Sequence, residues 1–239
     1  MNKKVAVLSQ GAWFISLLST FLVCLSLSWL ALAKLQYLYP AWYSLLSIEQ
    51  HIDTYAPQNH FKQGYELTSA VEHKEHFALI AEAVHNQGQG LADIDYLYLG
   101  HRVPLLTHAE QVHLQDVANL IVGVKKLALI LAAVPLLLLP WFWLKRIKPK
   151  VKTQMIWLFG LIASATISLL LIGAKRVFYQ LHEWIFPQNH QWFFYYQESL
   201  MSTLMKAPDL FGAIGVAILL GGILLFVAVF WVLNKCIRQ

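Results

Sequence analysis

The chain has 239 residues, of which 58% are hydrophobic and only 13% charged, against about 25% charged in soluble domains. That balance excludes a water-soluble globular protein. The formal net charge of +5 does not point to a nucleic-acid partner, because the basic residues gather in short segments beside apolar runs, where they face an anionic leaflet.

Residues 1–34 are a short tail with Lys3 and Lys4 and a first apolar run, Ala12 to Ala33. The run exceeds the apolar core of a signal peptide, so it reads as an uncleaved spanning helix, although Ala31-Leu32-Ala33 has the small-residue spacing of a cleavage site. Cys24 lies mid-span and Cys236 near a membrane end, too far apart for a disulfide.

Residues 35–107 are too many for a bare connection and too few for a large independent core, which predicts a small, mainly helical cap. Tyr37, Tyr39, Trp42 and Tyr43 read as interfacial anchors. Ser69 with Glu72 forms a capping box. Phe77, Ile80, Ala81 and Val84 then give one apolar stripe until Asn86-Gln87-Gly88-Gln89-Gly90 ends the helix. His73, Glu75 and His76 fit no zinc pattern and read as its solvated face. Asp95 to Leu105 permits a short hairpin.

Residues 108–144 join a motif helix to the second span, Leu127 to Leu144. Thr107 and Glu110 make a second capping box, and Glu110, His113 and Asp116 follow at i, i+3 steps, one carboxylate a turn above the imidazole and one a turn below. Such flanking acids would tune the histidine. Pro135 and Pro140 permit a kink.

After the basic loop 145–154, the third span occupies 155–174. Gly160, Ser164 and Ser168 on it, like Gly212, Gly215, Gly221 and Gly222 in the fourth span (211–239 with its tail), read as packing faces. Between them, 175–210 is an aromatic loop with Trp184, Phe186, Trp192, Phe193, Phe194, Tyr195 and Tyr196, ring types that prefer the headgroup level.

All 13 acidic residues and all 10 histidines lie in 35–126 or 175–210, while the termini and 145–152 are basic and free of acids. The positive-inside rule therefore places both chain ends in the cytoplasm and the polar chemistry outside. The fold class is an all-α polytopic membrane protein, with four transmembrane helices and a small extracytoplasmic cap. His113 and His182 come to the same side of the membrane. Paired imidazoles suit acyl transfer at a lipid ester, where no Ser or Cys nucleophile is evident.

The motif Thr107-x-x-Glu110-x-x-His113-x-x-Asp116-Val117, with Leu181-His182-Glu183-x-x-Phe186, Trp192 and Pro208, resembles the lipoprotein intramolecular transacylase family, and the four-span order matches too. The chain departs from it in having Ile185-Phe186 where the family tends to two Phe, and Phe193 to Tyr196 where it tends to an acid. The resemblance implies a bacterial cytoplasmic-membrane enzyme with an extracytoplasmic active face. It would move the sn-2 acyl chain of a lipoprotein's diacylglyceryl-cysteine to the amine of the same cysteine. His113 and His182 would be catalytic, Glu110, Asp116 and Glu183 supporting, and Trp184, Phe186, Trp192 and Phe193 would meet the substrate. It implies membrane lipids and lipid-modified protein N-termini as partners, and no cofactor or metal. Two alternatives stay open: a relative that binds lipid or lipoprotein without this catalysis, and a metal protein built on Glu110-x-x-His113, the i, i+3 pattern of di-iron bundles.

Overall fold

The computed structural model describes the backbone of residues 3–148 and 150–238, and side chains at 7–148, 150–173 and 175–232. Lys3, Lys4, Lys235, Cys236 and Arg238, used above for orientation and cysteine pairing, have side chains outside the described residues. The helices are α1 (Lys3–Lys34), α2 (Tyr39–Leu45), α3 (Ile48–Tyr55), α4 (Ala70–His85), α5 (His108–Leu144), α6 (Val151–Ile172), α7 (Ala174–Ile185), α8 (Leu200–Met205) and α9 (Asp209–Arg238), with a hairpin of β1 (Asp95–Tyr98) and β2 (His101–Pro104) before α5. Val7–Lys34, His108–Leu144, Val151–Ile172 and Asp209–Val232 are long and apolar enough to cross a membrane, so the chain is an all-α polytopic membrane protein. The motif helix and second span form one continuous α5 of 37 residues that runs through both Pro135 and Pro140.

The chain divides into two compact units. The first holds the residues up to Trp29, Lys125–His182 and those from Ile218. Its core is Phe21, Cys24, Leu158 and Phe226, with the Phe21 and Phe226 rings edge to face at 5.4 Å. At Gly222 a Cβ would stand 3.0 Å from the Leu25 backbone, and at Gly221 2.4 Å from Ser28 Oγ, so these glycines let α9 close on α1. The same reading of Gly160, Gly212 and Gly215 is corrected, since a Cβ there meets open space; small size permits close packing but does not supply a neighbour. Trp13 stacks on Phe142 at 4.3 Å and its indole N–H donates to the Ile147 carbonyl. The Gln10 amide donates to the Lys148 carbonyl and accepts from the Lys150 N–H, tying α1 to the basic loop.

The second unit, Leu30–Val124 with Glu183–Ala217, has its own core. Tyr39 stacks on Phe77 at 3.9 Å and its hydroxyl donates to the Leu204 carbonyl at 2.7 Å, joining α2, α4 and α8. The Ser69 and Glu72 capping box forms on both sides. The hairpin pairs Tyr96 with Val103 and Asp95 with Pro104.

Two sequence expectations fail in this unit. Tyr39 and Tyr43 are buried core residues, not interfacial anchors, because each hydroxyl finds an internal partner. His73 and His76 are also buried. Thr68 Oγ1 donates to the Tyr65 carbonyl, so it accepts from His73 Nε2–H at 2.8 Å, which leaves His73 Nδ1 to accept from the Tyr43 hydroxyl at 2.7 Å. His76 Nε2–H donates to the Asp95 carbonyl and Nδ1 accepts from the Tyr65 hydroxyl, both at 3.1 Å. A neutral imidazole with one donor and one acceptor can be buried once both are matched. Burial, only partly offset by hydrogen bonding and nearby acids, pushes His73 down to about 4 and lowers His76.

His73→Ala and His76→Ala are each expected to destabilise the second unit by about 1–3 kcal/mol, because each strands buried polar partners, readable as a lower unfolding temperature of the purified protein. Unfolded histidine titrates near 6.5, above the depressed folded value of His73. The stability from keeping it neutral is therefore complete above 6.5 and is lost as pH falls from 6.5 toward 4. Thermal melts over that range test the sign; a stability that rises on acidification contradicts it.

Candidate active site

The second unit builds its polar site on the first turns of α5. Thr107 caps the helix: the Glu110 N–H donates to Thr107 Oγ1, and Glu110 Oε2 accepts the Thr107 N–H at 2.5 Å. Glu110 is fully buried. Its other oxygen, Oε1, accepts from the Ser199 hydroxyl at 2.5 Å, and Ser199 Oγ in turn accepts the Ser202 N–H at 2.8 Å. One carboxylate thus joins the N-terminus of α5 to that of α8. Lys62 donates to the Leu105 carbonyl at 2.6 Å; burial lowers its pKa, and the charge of Glu110 opposes that fall.

One turn further, His113 is half-buried and lies between two rings. Phe186 meets it edge to face at 5.0 Å and Phe194 at 6.0 Å. A turn beyond, Asp116 Oδ2 accepts from His190 Nδ1 at 2.6 Å, an ion pair whenever His190 is protonated. Glu110 and Asp116 thus each hold a group from the 187–199 segment. His190 and Ser199 escaped the sequence reading, for they lie 74 and 89 residues from their carboxylates. The available signal was a helix face with two acids facing a loop with a spare histidine.

His182 belongs to the first unit. Gly173, at φ +90°, closes α6, a backbone conformation glycine adopts without strain, and His182 sits on the separate helix α7. Its Nδ1–H donates to the Phe178 carbonyl at 2.8 Å and its ring lies 3.9 Å from that of Phe178. That bond fixes the tautomer and leaves the basic lone pair on Nε2. Burial lowers its pKa, against the opposing effect of the Phe178 hydrogen bond, so the neutral form is favoured. Glu183 and Trp184 are exposed, Phe186 is buried against His113, Trp192 is half-buried and Phe193 exposed. The structure brings Glu110 to Ser199, His113 to Phe186 and Phe194, and Asp116 to His190.

The family model for lipoprotein intramolecular transacylase Lit matches residues 14–207. No curated protein matches. Solved structures do: an in meso structure of the membrane-integral lipoprotein intramolecular transacylase Lit from Bacillus cereus is 18% identical, covers 99% of each chain and has a TM-score of 0.64. A histidine-to-arginine variant of the same protein is also 18% identical, over 99% of this chain and 97% of that one, with a TM-score of 0.62. A histidine-to-alanine variant is 16% identical over 97% and 96%, with a TM-score of 0.64. At these identities the structures establish a shared fold, and the family model establishes membership: the chain belongs to the lipoprotein intramolecular transacylase family of membrane acyltransferases.

Proposed function

We propose that this chain transfers the sn-2 acyl group of a lipoprotein's diacylglyceryl-cysteine to the amine of the same cysteine, with His182 as general base and His113 as general acid. The observation that carries the assignment is the His182 Nδ1–H bond to Phe178, which points base character to Nε2, in a ring that burial keeps neutral. The cysteine amine attacks the sn-2 ester carbonyl carbon and loses its proton to His182 Nε2. The new C–N bond forms, a tetrahedral oxyanion follows, and the C–O bond to glycerol breaks as His113 protonates the departing oxygen. The product is an N-acylated cysteine with one free glycerol hydroxyl, and the number of acyl chains does not change.

His113 is supported as the partner by its packing. Phe186, which follows His182 by four residues in the chain, and Phe194 restrict the ring, and a dry aromatic wall strengthens each polar contact made inside it. The exposed Trp184 and Phe193 suit the headgroup depth at which a lipid-modified N-terminus arrives. The enzyme acts from a bacterial cytoplasmic membrane with both termini inside and the second unit outside, which the acid-free basic segments support.

With a synthetic diacylated lipopeptide, His113→Ala and His182→Ala are each expected to slow transfer by about 10²- to 10⁴-fold at equal protein level, and the double variant to be little slower than the slower single one. Wild-type activity in either removes that residue from the mechanism. The base must be unprotonated, and burial holds His182 below its usual 6.5. Its contribution is therefore intact above 6.5 and falls away at lower pH, which a pH profile of the wild type, compared with His182→Ala, will register. For orientation, Gln89→Cys is expected to react with an impermeant thiol reagent in intact cells lacking other accessible cysteines, and Lys148→Cys only after permeabilisation; the reverse pattern contradicts the topology.

A further inference from the structure

We propose that His190 is a positioning residue for the transfer reaction above, its hydrogen bond to Asp116 latching the 186–199 segment onto the face of α5 that carries His113. The proposal deepens the transacylase reading and rests on it for its effect on rate. Between Ile185 and Leu200 the chain has no helix or strand, so contacts alone fix its course. Those contacts are ordered. Ser199 reaches Glu110 at 2.5 Å, Phe194 reaches His113 at 6.0 Å and His190 reaches Asp116 at 2.6 Å. Residues 199, 194 and 190 thus meet 110, 113 and 116, an antiparallel course down three successive i, i+3 positions of one helix face.

The two outer contacts are hydrogen bonds to carboxylates, and the inner one is an aromatic wall on the imidazole. Weak ring contacts do not hold a loop by themselves, whereas a bond to a charged group does. The Ser199 end is buried with Glu110, but the other end depends on His190, set by a turn in which its N–H donates to the Pro187 carbonyl at 3.0 Å. Nδ1–H donates to Asp116 whether or not the ring is protonated, so the latch needs a donor rather than a proton carrier. Freed of it, Phe194 and Phe186 lose their fixed distance to His113, and the general acid loses its orientation.

Hydrogen–deuterium exchange of the 187–199 peptide and lipopeptide transfer, both in nanodiscs, test this on wild type, Asp116→Ala, His190→Ala and His190→Gln. His190→Ala and Asp116→Ala are expected to speed exchange of that peptide about tenfold or more, and to slow transfer by about 10- to 100-fold, the worth of a hydrogen bond to a charged group, with the acid limb of the pH profile in place. His190→Gln, which retains an N–H donor, regains most of both. Unchanged exchange in His190→Ala overturns the latch. So does a His190→Gln as slow as His190→Ala with a displaced acid limb, which would make the imidazole itself a proton carrier. A wild type that transfers no acyl chain sinks the transacylase reading, while the exchange measurement still decides the latch.

Discussion

The second unit depends on the burial of one carboxylate. Glu110 has no exposed surface, and an ionised carboxylate out of water is costly unless its oxygens are matched. The matching groups are the Thr107 N–H and the Ser199 hydroxyl, and bringing them together fixes where α5 begins and where α8 starts relative to it. Lys62 lies near enough for the charge of Glu110 to resist its desolvation. Removing one partner of so buried a charge typically costs several kcal/mol, so the start of α5, and with it the position of His113 one turn on, is held more firmly than a solvated helix end.

Two imidazoles in different settings follow from the chain's layout. His113 is placed by aromatic edges and by a helix whose first turn is anchored. His182 is placed by its own helix, which restarts after Gly173 and gives the ring a carbonyl four residues back. Different environments give two chemically identical groups different protonation preferences at one pH. The aromatic loop then serves two purposes, walling His113 inside with Phe186 and Phe194 and presenting Trp184 and Phe193 outward.

Features that depend on neighbours in sequence were legible. The capping boxes at Ser69 and Thr107, the apolar stripe of α4, the hairpin and the four long helices all follow from local spacing, and the structure has them. What was misread depends on distant partners. Tyr39, Tyr43, His73 and His76 carry polar tips that read as solvated until Leu204 is seen to accept from Tyr39, His73 to pair with Tyr43 and Thr68, and His76 with Tyr65 and Asp95. His190 and Ser199, the hydrogen-bond partners of Asp116 and Glu110, likewise lie far along the chain. The break at Gly173 was readable in principle, since a glycine followed by Lys175 and Arg176 closes an apolar run.

The central claim is that an acyl chain moves within one lipid-modified cysteine, and mass spectrometry of lipoprotein N-termini from cells with and without this protein tests it most directly. The account predicts that expression converts a free cysteine amine to an acylated one while the total number of acyl chains per lipoprotein stays constant. Free amines that persist at full expression of the protein, or an acylated amine accompanied by an additional acyl chain, would contradict it.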